Sequence, residues 1–185
     1  MQGLPITTAP SPSMSRYRAP QPTSSPYVTR AGFERLQAEQ GELWARRRDV
    51  VAALSAAAAE GDRSENAEYQ YRKKELGGID RRIRYLQKRL PTLQVVDARA
   101  GGEKVFFGAD VHVEIESSDG TLEQRRVRLV GSDEIDLARR QVSIDSPLAR
   151  ALIGKRVGDE LEITIDDRAL ACTVLGIDWP STDDP

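Results

Sequence analysis

Asp62 and Glu65 stand three residues apart in AAAAEGDRSENAEYQ, Ala56–Gln70, beside a glycine that separates two helix-like segments. Two carboxylates at that spacing on a first helical turn face the same way and offer hard oxygen ligands. Mg²⁺ accepts one or two carboxylates and keeps several waters, so the pair alone holds a metal weakly. It becomes effective when inserted into a site that already supplies phosphates and further carboxylates, as in two-metal phosphodiester chemistry. The same residues also suit a structural role. Asp62 can be an N-cap and Glu65 the N3 residue reaching back to it, with both charges at the positive end of the helix dipole. The two roles are compatible, because a cap's second oxygen can still face outward.

Other reactive side chains are scarce. One His112 and one Cys172 exclude a Cys/His metal cluster and a disulfide framework within these 185 residues, which fits a reducing, cytoplasmic setting. His112, between two valines, is expected to point to solvent from a strand, and Cys172 in LACTV to be a buried small hydrophobe. Basic residues are plentiful in the first half: Arg46, Arg47, Arg48, Arg72, Lys73, Lys74, Arg81, Arg82, Arg84, Lys88 and Arg89, with Tyr69 and Tyr71 near the acidic pair. They form either a solvated face or a positive track for a nucleic-acid strand. The net charge of −2 conceals 14 Lys/Arg against 10 Asp/Glu over residues 27–90, and 11 against 19 over residues 91–185. A polyanion would therefore favour the first module.

The elements that position the acids follow from periodicity. Phe33, Leu36, Gln40, Leu43, Arg47, Val50, Leu54 and Ala57 recur in alternating steps of three and four, with Thr29 as N-cap. Tyr69, Arg72, Leu76, Ile79, Ile83, Leu86 and Leu90 repeat the pattern until Pro91. A short connection forces two such helices antiparallel, giving a rod of roughly 40–45 Å with Gly61–Asn66 at its far end. Gly77 and Gly78 lie inside the second helix, where each costs about 1 kcal/mol relative to Ala, so the rod is expected to be soft there. Past Pro91 the period becomes two, in LQVVDA, KVFFGADVHVEIES, QRRVRLVG, RQVSID, DELEITID and RALACTVLGIDW, with a turn at Ser118-Asp119-Gly120. SPLARALIG reads as one short helix: Ser146 caps it, Pro147 opens it and Gly154 lies just past its end. The fold class is α+β with several domains. Residues 1–26 form a disordered Pro/Ser-rich tail, 27–91 the coiled-coil hairpin, 92–180 a module with an antiparallel, twisted sheet, and 181–185 an acidic tail. Met14 offers an alternative start to Met1. No run is apolar enough to span a membrane, and no signal peptide is evident.

GDRSENAEYQYRKKELGGIDRRIRYLQKRL resembles the second helix and tip of the bacterial Gre transcript-cleavage factors, and its Tyr- and Arg-rich helix resembles the GreB branch. The resemblance extends through YVTRAGFERLQAE, GEKVFFGADVHVEIE, RLVGSDEID and VSIDSPLARALIGKRVGDE. It implies that the hairpin enters the secondary channel of RNA polymerase while an FKBP-like C-terminal domain docks at the rim, for which Asp133, Glu134, Ser146 and Pro147 are the expected contacts. Asp62 and Glu65 match the family's acidic pair, with Gly61, Arg63, Ser64, Asn66 and Tyr69 in support. The resemblance implies that the pair shares Mg²⁺ with the polymerase and promotes hydrolysis of backtracked RNA, the track contacting its extruded 3′ end. A monomer that stimulates the polymerase's own nuclease, and is no free-standing enzyme, is the expected form. A non-cleaving channel regulator and a coiled-coil interaction protein are the alternatives.

Overall fold

The computed structural model describes residues 24–59, 66–97, 101–117, 119–165 and 168–179. The chain opens with β1 (Tyr27–Thr29) and enters two long helices, α1 (Arg30–Ala59) and α2 (Ala67–Arg89), followed by a 3₁₀ turn over Leu90–Thr92 and by β2 (Gln94–Val96). The Thr29 hydroxyl accepts the Gly32 N–H at 3.0 Å, the N-cap anticipated for α1. Each member of the two apolar stripes is buried or half-buried. Val50, Ile79 and Ile83 meet in one cluster flanked by Leu43 and Leu76; Val28, Leu36 and Leu86 form a second at the base. One cluster lies along the middle of the arm and the other at its base, so small residues and polar contacts hold the end beyond Val50 and Leu76.

β1 and β2 pair in parallel, Tyr27 against Gln94 and Thr29 against Val96. Parallel neighbours require a long crossover, and the whole hairpin supplies it. Tyr27–Thr29 was not expected to be a strand, because three residues carry no usable period.

The second module contains β3 (Asp110–Glu116), β4 (Leu122–Val130), β5 (Gln141–Ser143), α3 (Pro147–Leu152), β6 (Glu160–Ile165) and β7 (Arg168–Asp178). Its five strands lie in the order β5-β4-β3-β7-β6. Pairing is antiparallel except at the β4–β5 edge, which is parallel, so the sheet is mixed. Val111, Val113 and Ile115 alternate into a core completed by Leu129, Leu152, Cys172 and Val174. α3 is built as its sequence suggests: Ser146 Oγ accepts the Ala149 N–H at 3.2 Å, Pro147 opens the helix and Gly154 takes φ 82° beyond it. KVFFGAD departs from the expected strand. Gly108 turns the chain at φ 86°, and Val105 is buried through a backbone exchange with Lys155 and Gly154 at 2.8 Å. Among the described residues no helix is long and apolar enough to cross a membrane.

Candidate functional site

α1 ends at Ala59 and α2 begins at Ala67, and both of these helix ends lie at the end of the arm remote from β1 and β2. Gly61, Asp62, Arg63, Ser64 and Glu65 lie outside the described residues. Asn66 is described, and it is the N-cap of α2: Oδ1 accepts the Tyr69 N–H at 3.1 Å while Nδ2 donates to Ala57 O at 2.9 Å. The capping box read on Asp62 and Glu65 is thereby overturned. The cap lies four residues beyond Asp62 and the helix begins at Ala67, because the Asn66 amide can satisfy α2 and the last turn of α1 together, which a carboxylate cannot do.

The basic residues divide into two sets. Arg46 and Arg72 converge on Glu75 from opposite helices, at 2.6 and 3.1 Å, and Arg72 also reaches Glu68 at 2.7 Å. Hydrogen bonding from Arg46 above all, and then Arg72, holds the Glu75 carboxyl below its ordinary range, and the bonds to Glu68 and Glu75 raise Arg72. Arg47 pairs with Asp80 and Arg82 with Glu39, both at 2.7 Å and both across the hairpin. Arg48, Lys73, Lys74, Arg81, Arg84 and Lys88 have no ion-pair partner among the described residues, so these members of the basic set face solvent. Trp44, exposed on α1 with the Arg47 guanidinium 5.8 Å from its ring centroid, is an aromatic that the heptad reading passed over.

The expected docking acids are turned inward. Glu134 is only 2% exposed, and its carboxylate accepts the Thr29 N–H at 2.9 Å, the Thr29 hydroxyl and the Gly131 N–H at 2.9 Å. Asp133, with 5% of its side chain exposed, accepts Arg89 Nε at 2.8 Å and the Tyr85 hydroxyl. Both therefore fasten the hairpin base to the sheet module, and their carboxylates are engaged within the chain. Ser146 is occupied as a cap, and Pro147 remains exposed. Beside them Asp145 accepts the Ser25 N–H at 2.8 Å and Ser132 Oγ at 2.7 Å. Burial alone would raise that carboxyl, and the two hydrogen bonds outweigh it and hold it low.

Two close approaches explain why glycine stands at this joint. A Cβ on Gly32 would lie 1.9 Å from Glu134 Oε1, and one on Gly131 would lie 2.3 Å from Tyr27 O. Nothing in the helical period of α1 marks Gly32. The available signal was a glycine placed three residues after a cap in an otherwise strong helix. His112 is half-exposed as expected, with Nε2 3.2 Å from an Asp178 carboxylate oxygen. Cys172 is buried, and burial pushes its thiol up.

A helical arm with an acid-bearing end, locked at its base to a mixed-sheet module, matches one class in sequence: transcription elongation factors. The family model "Transcription elongation factor, N-terminal" covers residues 26–95, and "Transcription elongation factor, GreA/GreB, C-term" covers residues 100–178. The chain belongs to the GreA/GreB family. It is 53% identical over 170 residues to transcription elongation factor GreB of Xanthomonas axonopodis pv. citri, covering 91% of this chain and 99% of that one. Against GreB of Pseudomonas aeruginosa it is 50% identical over 169 residues, covering 90% and 98%. Among solved structures, one described as the transcription factor Gfh1 shares 25% identity at a TM-score of 0.39, covering 82% of this chain and 96% of that chain. The assignment rests on the sequence matches.

Proposed function

We propose that this elongation factor inserts its hairpin, connection first, into the secondary channel of RNA polymerase and stimulates the polymerase's own hydrolysis of backtracked RNA. The observation that carries this reading is the arm itself. α1 and α2 run out from a base that Asp133 and buried Glu134 hold to the sheet module, and Asp62 and Glu65 fall in the sequence between the two helices.

Among the described residues no three carboxylate, His or Cys side chains gather into a metal-binding group. The hard oxygens that this chain can offer are those of Asp62 and Glu65, a donor set that fits a Mg²⁺ whose other ligands come from the polymerase and the RNA. Such an ion supplies Lewis acidity at the scissile phosphate and lowers the pKa of a bound water. The chain's own contribution is delivery. Asn66, which caps α2 and donates to Ala57 O, and the interhelical ion pairs order the two helix ends that flank the acids. Lys73 and Lys74, unpaired among the described residues on the helix that follows the connection, are placed to meet the phosphates of an extruded 3′ end, with Arg48 contributing from α1. On this reading the catalytic centre belongs to the polymerase and the chain is its cofactor.

The test is a stalled, backtracked complex carrying labelled RNA, treated with the chain or with Asp62→Asn or Glu65→Gln, each made singly. Each variant is expected to slow cleavage by about 10- to 100-fold, the range for loss of a metal-positioning group. Thermal stability should be unchanged, because the cap belongs to Asn66. Full-rate cleavage by either variant would refute the assignment of that acid.

A further inference from the structure

β4 pairs with β3 along its length, from Leu122 opposite Glu116 to Arg128 opposite Asp110, whereas β5 covers it only from Arg128 to Val130. The Arg128 N–H points outward to Arg140 O at 2.9 Å, and the Leu129 N–H turns the other way, to Ala109 O at 3.0 Å. Strand alternation then directs the backbone N–H and C=O groups of Leu122, Gln124 and Arg126 away from β3, along an edge that no described strand covers. The turn that leads into β5 stands off from this edge. A groove of 680 Å³ runs beside the edge, lined by residues 123–127 of β4 and by Leu137, Arg140 and Val142, and reaching across the sheet to His112 and Val113 of β3 and Leu175 of β7. Leu137 is 83% exposed, the most solvated large apolar residue described. Arg140 holds φ 57°, the left-handed region, and no other non-glycine among the described residues does so.

The charge here runs against that of its module. Residues 91–185 hold 11 Lys/Arg against 19 Asp/Glu, yet five of the eleven, Arg125, Arg126, Arg128, Arg139 and Arg140, line this groove or the adjoining 370 Å³ recess. Arg125 is neutralised by Glu123 at 2.7 Å. Arg126 reaches Asp110 and Asp178 only at 3.5 and 3.4 Å, and Arg139 reaches Asp136 at 3.6 Å. Arg128 and Arg140 have no carboxylate partner among the described residues, and Arg128 Nε is buried with no hydrogen-bond acceptor.

We propose that this groove receives an extended, acidic segment of a partner protein as an added strand on β4. Gln124 and Arg126 supply main-chain hydrogen bonds, alternate acidic side chains meet the arginines, and the intervening apolar ones meet Leu137 and Val142. A nucleic-acid strand would satisfy the arginines and leave the edge groups unanswered, so the open backbone favours a peptide. The arginines also disfavour neutral or basic strands, which makes acidity the selective feature.

The experiment titrates the full chain with a short fluorescent peptide that alternates glutamate and valine. Saturable binding is expected, weakened at least about tenfold by Arg126→Glu combined with Arg140→Glu, with melting behaviour confirming that the variant is folded. The same peptide methylated on alternate backbone nitrogens should lose binding by a similar factor, a readout that leaves the protein untouched. Absence of binding, indifference to charge reversal in a folded variant, or undiminished binding of the methylated peptide would overturn the proposal. So would tighter binding of a single-stranded oligonucleotide of equal charge.

Discussion

One side chain closes the arm. The Asn66 amide caps α2 through the Tyr69 N–H and fastens it to α1 through Ala57 O, so a single residue ties together two helix ends that share no large apolar contact there. Asn66→Ala is expected to cost about 1–2 kcal/mol, since it removes a cap and leaves donor and acceptor groups without partners. Asn66→Asp keeps the acceptor and loses the donor, so its midpoint in chemical denaturation should fall between those of Asn66→Ala and the unaltered chain. At this scale the sequence was legible where one candidate stood alone. Thr29 and Ser146 cap their helices as read. The start of α2 was misread because Asp62, Ser64 and Asn66 all satisfy the local rule, and the choice is made by Ala57 O, nine residues away in the other helix.

The hairpin was legible as an element because both stripes are long and strictly periodic, and it is realised over 30 and 23 residues. What periodicity did not show is how its polar residues divide. Arg46, Arg47, Arg72 and Arg82 are taken up by Glu75, Asp80 and Glu39, residues that a count of charges treats as background. The parallel β4–β5 edge was equally hidden, since strand direction there is set by the turn that leads into Gln141 and not by alternation. Gly77 and Gly78 do not interrupt α2, although they raise the free energy of its helical state. A Cβ at either position meets nothing nearer than the Arg81 guanidinium, at 3.8 and 3.9 Å. Gly77→Ala and Gly78→Ala are therefore each expected to stabilise the chain by up to about 1 kcal/mol, seen as a raised denaturation midpoint. If cleavage also slows on polymerase, then compliance in the arm is part of its action; an unchanged rate assigns the glycines no such role.

At the scale of the molecule, the joint decides where the end of the arm lies relative to the sheet module. Tyr85 donates to buried Asp133, and burial, followed by that hydrogen bond, raises its phenol above the ordinary 10.0. A raised folded-state value means that the contribution is complete below pH 10 and declines as pH rises through the folded value, because the unfolded chain ionises first. Tyr85→Phe should flatten this alkaline limb when denaturation midpoints at about pH 9 and about pH 11 are compared. Gly32 tests the joint more directly. A methyl group there would meet the Glu134 carboxylate at 1.9 Å, and that carboxylate cannot retreat without abandoning Thr29 and Gly131. Gly32→Ala should therefore cost about 1–3 kcal/mol, as overpacking of a buried site does, with the helix signal retained below the transition. Small-angle scattering should show a wider distribution of arm positions, and cleavage of backtracked complexes should fall although Asp62 and Glu65 are intact. Unaltered scattering together with full activity would mean that the polymerase, and not the Glu134 joint, sets the angle at which the arm enters.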